Sequence, residues 1–219
     1  TGTGDADGHV KGYAVVPDVI LHANDRHKLD VAGAVGQGTF RVIKDMGLKE
    51  PYIGETDIVS GEIAEDITYY YAQSEQVPSA VGLGVLLTPE NTTEQAGGFI
   101  VQLMPDVSEQ TIEKLEENLN KVTSVTGLLE QGSTPEDILK LLLAGMEPVI
   151  LEKKDISFEC DCSSAKIEKA LISVGASDLQ EMIDDGEDIE MKCSFCGRSY
   201  KVSVDKLKQL LCEAGQESR

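Results

Sequence analysis

The sequence predicts an α+β protein: a strand-rich N-terminal domain with packed helices, a helical linker, and a small cysteine-bearing C-terminal domain. Three observations predict this. From Gly12 to Met104 short β-like runs alternate with glycine-rich turns, after Pro105 the apolar residues take helical spacing, and from Asp155 a third composition carries four of the five cysteines. The hydrophobic fraction is 41%, and with no Trp, four Phe and six Tyr the cores should be built from Val, Ile and Leu.

In chain order, Gly12–Ile20, Thr39–Ile43, Val81–Leu87 and Gly98–Met104 read as strands. Gly61–Gln76 reads as a helix because Ile63, Ile67, Tyr70 and Tyr71 recur at helical spacing, and Pro78 closes it. Ser108 is placed to cap a helix carrying Ile112, Leu115, Leu119, Val122 and Val125, which Gly132 stops at the latest. Ser133-Thr134-Pro135-Glu136 starts another, with proline at its first position and Ile138, Leu139, Leu141, Leu142 and Leu143 on it. Ile156–Cys160 is expected as a strand, and Ser163–Val174 and Ser177–Asp184 as helices. Glu187–Lys192 and Ser199–Ser203 should form a hairpin, and Asp205–Ala214 a last helix. The domains are therefore expected at 1–105, 106–155 and 156–219.

A formal net charge of −20 and a pI near 4.4 repel phosphate backbones and anionic headgroups, which argues against nucleic acid and membrane surfaces as partners. No run approaches the roughly 18 apolar residues of a membrane span. The start, Thr1-Gly2-Thr3-Gly4-Asp5, has neither an initiator Met nor the features of a signal peptide, as expected of a processed or truncated chain.

Cys160-Asp161-Cys162 and Cys193-Ser194-Phe195-Cys196 carry the chemistry. In an extended segment residues i and i+2 share a face, so the first pair can point two thiolates at one ion. A C-x-x-C followed by Gly197 suits a tight turn presenting two more. Four thiolates make a closed tetrahedral zinc site with no open position to activate water. Permanent disulfides, a thioredoxin-like redox pair and inert buried thiols are the competing readings. Thiolates are also what oxidants attack, and an i, i+2 disulfide is strained and easily reduced, so the arrangement suits a reversible redox switch.

Cys212 stands alone and is expected to pack on a helix face. His9, His22 and His27 lack ligand spacing and read as surface or turn residues. Gly82-Leu83-Gly84 lacks the Lys-Ser/Thr of a phosphate loop and reads as bulge or packing positions. No nucleophilic triad or paired-carboxylate site stands out, so no catalytic residue is expected.

Phe158-Glu159-Cys160-Asp161-Cys162, Ala170-Leu171, Gly175, Cys193-Ser194-Phe195-Cys196 and Tyr200 resemble the zinc domain of the 33-kDa heat-shock chaperonin family. Upstream, Lys28-Leu29-Asp30-Val31, Glu50-Pro51-Tyr52, Ile58-Val59-Ser60-Gly61-Glu62, Ser74-Glu75-Gln76-Val77-Pro78-Ser79 and Gly97-Gly98-Phe99 are similar too, so the likeness covers essentially the whole chain. The resemblance implies a bacterial cytoplasmic, ATP-independent holdase that binds unfolding client proteins. It further implies one zinc on Cys160, Cys162, Cys193 and Cys196 in a reduced, inactive state, and disulfides Cys160–Cys162 and Cys193–Cys196 in the active one. Zinc loss would unfold the zinc domain and the linker near 106–155, often in a homodimer. Family members carry several dozen more residues before the segment starting at Asp5, so the chain is expected to begin inside the N-terminal domain. A thiol–disulfide oxidoreductase using Cys193 and Cys196, or a constitutive zinc-ribbon interaction module, are the alternatives.

Overall fold

The computed structural model describes residues 1–22 and 29–217. It is α+β, and it divides into two compact units, one of residues 1–18 and 152–219 and one of residues 19–151.

The 19–151 unit starts with a short helix, α1 (Val31–Val35), whose cap Asp30 accepts the Gly33 N–H at 2.9 Å. Strands β3 (Thr39–Lys44) and β4 (Tyr52–Asp57) form an antiparallel pair with Phe40 opposite Thr56 and Ile43 opposite Ile53. Helix α2 (Ile63–Gln73) packs on this pair through Tyr70, which is buried and meets Phe40 edge-on at 5.6 Å. Gly54 makes the approach possible, since a Cβ there would collide with the Tyr70 hydroxyl. The buried Asp66 accepts the N–H groups of Val59, Ser60 and Gly61 at 2.8, 3.1 and 3.0 Å, which ties the entry loop to the helix. Three backbone N–H groups thus satisfy the oxygens of this buried side chain.

Strands β5 (Ser79–Leu87) and β6 (Thr93–Gln102) form a second antiparallel pair. Three helices follow: α3 (Glu109–Leu119), α4 (Val125–Glu130) and α5 (Pro135–Leu142). Helix α4 lies on β5 and β6. Val125, Ile138 and Leu142 form the local core, with Phe99 and Val101 packed against it. The apolar helix faces thus cover the strands, and the Glu- and Lys-rich faces meet solvent.

In the other unit, β1 (Gly2–Gly4) pairs antiparallel with β2 (His9–Gly12), and β2 pairs in parallel with β7 (Ser157–Phe158). Helices α6 (Ser164–Val174) and α7 (Ala176–Asp184), the hairpin β8 (Ile189–Lys192)–β9 (Ser199–Val202), and α8 (Val204–Glu217) complete it. Leu171, Leu179, Val202, Leu207, Leu210 and Ala214 form its aliphatic core.

The structure corrects three expectations. The strand at Gly12–Ile20 is replaced by β2 at His9–Gly12: Pro17 offers no N–H to a ladder, and Val15 and Val16 stay exposed. The helix from Ser108 does not run to Gly132 but breaks after Leu119, where Ser124 caps α4 by accepting the Gly127 N–H at 3.0 Å. The apolar spacing continues through Leu119, Val122 and Val125 because both helices face the same core. The α7 cap is Gly175 rather than Ser177. By contact, Thr1–Asp18 groups with residues 152–219, a pairing that composition along the chain does not express.

Candidate metal centre

The four paired cysteines converge. Cys160 and Cys162 lie on the extended stretch between β7 and α6, with Ser163 capping α6 by accepting the Lys166 N–H at 3.3 Å. Cys193 and Cys196 lie in the turn between β8 and β9. That turn closes with Gly197 N–H donating to the Cys193 carbonyl at 2.8 Å and Cys193 N–H to the Arg198 carbonyl at 2.9 Å. Gly197 has φ +72°, the left-handed geometry that favours glycine.

The four sulfurs lie within 4.8 Å of one another and are unbonded. The Sγ atoms of Cys160 and Cys193 are 3.6 Å apart, and those of Cys162 and Cys196 are 3.4 Å apart. The cluster can hold a metal ion. Without one, its groups are inequivalent. The N–H of Cys196, then that of Phe195, draws the Cys193 thiol down to about 6. The Tyr200 hydroxyl, donating to Cys162 Sγ at 3.0 Å, lowers Cys162. The Cys162 N–H also draws Cys160 down, but desolvation and the neighbouring sulfurs outweigh it and push Cys160 up to about 12. Cys193 and Cys162 are therefore the readier thiolates.

Around the sulfurs lie residues that local sequence reading passed over. Asp161, between two of the cysteines, pairs with both Lys11 and Lys166, and Lys11 first, then Lys166, hold its carboxyl below the usual range. Phe195, inside the C-x-x-C, meets the Tyr13 ring edge-on at 4.9 Å and lies 5.2 Å under the Lys11 ammonium. Lys11 and Tyr13 come from the other end of the chain, so no spacing rule points to them. Tyr200 is visible only as part of the family-like pattern.

Cys212, expected to pack on a helix face, is exposed on α8. His9 lies on β2 with its Nδ1 2.9 Å from Asp5 and its Nε2 3.2 Å from Glu159. The ligand atoms of Asp5, Asp7 and His9 also cluster within 4.8 Å. His22 is exposed, and His27 and Lys28 lie outside the described residues. Gly82 and Gly84 are packing positions: a Cβ at Gly82 would enter the Phe99 ring, and one at Gly84 would lie 2.8 Å from Thr126. No helix among the described residues is long and apolar enough to cross a membrane.

The Hsp33 protein family matches residues 2–203. The chain is 53% identical over 211 residues to the 33 kDa chaperonin of Lachnoclostridium phytofermentans, covering 96% of this chain and 72% of that protein. It is 50% identical over 212 residues to the 33 kDa chaperonin of Clostridioides difficile, with 96% and 72% covered. Its fold matches the crystal structure of the 33 kDa chaperonin from Thermotoga maritima with a TM-score of 0.83 at 36% identity, covering 98% of this chain and 73% of that one. A family model and half-identical relatives over nearly the whole chain leave one conclusion: the chain belongs to the Hsp33 family, and it is a chaperone rather than an enzyme.

Proposed function

We propose that this chaperone is an ATP-independent holdase gated by the oxidation state of Cys160, Cys162, Cys193 and Cys196. The observation that carries the reading is the convergence of four unbonded sulfurs within 4.8 Å. A tetrahedron of sulfurs on zinc, with bonds of about 2.3 Å, has edges of about 3.8 Å. The separations of 3.6 and 3.4 Å are close to that edge, so the donor set fits one zinc ion. Bound zinc would hold all four sulfurs as thiolates and clamp the stretch after β7 to the β8–β9 turn.

In the reduced state the cysteines tie the stretch after β7 to the β8–β9 turn, and the aliphatic core beneath stays covered. Oxidation joins Cys160 to Cys162 and Cys193 to Cys196. Within each pair two thiolates give up two electrons and one S–S bond forms. A peroxide takes those electrons as its O–O bond breaks, leaving two hydroxide ions that collect protons from solvent. Each disulfide is then internal to its own segment, so nothing joins the two segments, and the unit built around them opens.

The intended consequence is release of apolar surface for unfolded or oxidatively damaged clients. In this reading residues 1–105 form the client-binding core, 106–155 the redox-sensitive linker, and 156–219 the switch. Helices α3, α4 and α5 suit the linker role because α3 and α5 carry Glu and Lys on their exposed faces while Val125, Ile138 and Leu142 are buried. The active form is a homodimer in the cytoplasm, and the −20 charge disfavours nucleic acid and anionic membranes as partners.

The test is to treat the reduced, zinc-loaded protein with peroxide at heat-shock temperature. Zinc release and suppression of a model client's aggregation are followed in the same samples. About one zinc per chain should leave as holding activity appears, and a thiol reductant should reverse both. Zinc retention under peroxide would overturn the switch, and zinc loss without holding activity would leave a structural site.

A further inference from the structure

The cysteine centre sits beside a strand that belongs to the other end of the chain. Strand β2 runs parallel to β7, with Val10 opposite Phe158, and the Glu159 N–H donates to the Val10 carbonyl at 3.1 Å. This register places Lys11 next to the C-x-C. Its ammonium pairs with Asp161, between Cys160 and Cys162, and lies 5.2 Å over the ring of Phe195, between Cys193 and Cys196. Its side chain is only 20% exposed. The same cation therefore meets a residue inside each of the two cysteine motifs.

Four thiolates around a divalent ion leave a formal charge of about −2, in a chain that is already strongly acidic. Such a centre is favoured by a nearby cation, and Lys11, paired with Asp161 and lying over the Phe195 ring, is placed to be one. Along the sequence Lys11 and Asp161 are 150 residues apart.

We infer that Lys11 is a positioning residue of the cysteine centre, a cation supplied by the N-terminal strand that balances the thiolate charge and fastens that strand to the centre. This rests on the metal-binding reading above. Partners that hydrogen-bond the ligands themselves are worth about 10–100-fold in metal affinity, and Lys11, which acts through Asp161 between two ligands, is placed at the low end of that range. The fastening works in both directions: when the thiolates become disulfides, their charge disappears and Lys11 loses part of what holds β2 in place.

The experiment compares the full chain with Lys11→Met, which keeps the stem and removes the charge, and Lys11→Arg, which keeps the charge. Affinity for zinc is read by chelator competition at low and high salt, and thermal stability of the metal-free forms is read alongside. Lys11→Met should bind zinc about tenfold more weakly with a flatter salt dependence, and Lys11→Arg should restore both. Hydrogen exchange gives a readout that needs no substitution: stripping zinc from the unaltered chain should speed exchange at the Glu159 amide, which bonds Val10. Equal zinc affinity in all three proteins overturns the role of Lys11 alone. Equal weakening by Met and Arg, in proportion to lost metal-free stability, overturns it in favour of packing. Failure of the unaltered chain to bind zinc overturns the metal reading and this inference together.

Discussion

Asn118 on α3 donates its side-chain amide to the carbonyl of Leu142 at the end of α5 at 3.1 Å, and both residues are fully buried. The same amide reaches the Ala144 carbonyl at 3.0 Å, and Lys121 Nζ donates to the Asn118 side-chain oxygen Oδ1 at 3.0 Å. The last carbonyls of a helix have no partner within it, so one asparagine from a neighbouring helix satisfies that of Leu142, together with that of Ala144 just past the cap, and locks α3 to the end of α5.

Asn118→Ala should therefore destabilise the 19–151 unit by about 2–3 kcal/mol, because buried carbonyls lose their donor and a small cavity opens. Denaturant unfolding measures it. If 106–155 is the redox-sensitive linker, the same variant should also begin to suppress aggregation at a lower peroxide dose. Unfolding free energy within about 0.5 kcal/mol of the unaltered chain would mean that water replaces the amide.

Cys193→Ser removes one of four converging sulfurs. Metal content after purification should fall well below one ion per chain, and the 1–18 and 152–219 unit should become more open to proteolysis. Colorimetric metal analysis and limited digestion check this. An unchanged metal content would rule out the four-sulfur centre.

Tyr200→Phe removes the hydroxyl that donates to Cys162 Sγ at 3.0 Å. That bond favours the thiolate, so its loss should raise the Cys162 pKa and slow its alkylation in the reduced, metal-free protein. Cys193, whose lowering comes first from the Cys196 N–H, should keep its rate. Peptide mapping after timed alkylation separates the two, and an unchanged Cys162 rate would remove the hydroxyl from the account.

His9 faces Asp5, Asp7 and Glu159. The hydrogen bond with Asp5 is the largest influence, followed by the charges of Asp5 and Glu159, and together they raise its pKa above the ordinary value. A raised folded-state pKa means that the stabilisation is fully present below about pH 6.5 and is lost as pH rises through the folded value. The thermal midpoint of the unaltered chain should therefore fall across that window, and His9→Gln should flatten the profile. The site is exposed, so high salt should flatten it too. A profile that His9→Gln leaves unchanged would assign the pH dependence elsewhere.

Local rules recover much of this molecule. The cap at Ser108 and Pro135 at the first helical position depend only on neighbouring residues and are present as expected, and the structure adds Thr134 as the cap before Pro135. So are the hairpin around the second cysteine pair and α6 between glycine and cysteine punctuation. The break between α3 and α4 was hidden because Leu119, Val122 and Val125 share one core and keep one apolar rhythm across two helices. Strand β4 was hidden because Gly54, Glu55 and Asp57 interrupt the β-favouring Tyr52, Ile53 and Thr56. It pairs because β3 lies beside it and Tyr70 occupies the space a side chain would take.

The sequence by itself determined the identity and spacing of the four thiols and the helical rhythm before them, because both are properties of neighbouring residues. Only the tertiary structure decided that β2 runs beside β7, that Lys11 and Tyr13 reach Phe195 and Asp161, and that Tyr200 bonds Cys162. The physical reason is that strand pairing uses backbone groups, which every residue carries alike. The choice of partner then rests on the whole fold, and the cation beside the thiolates arrives with the strand.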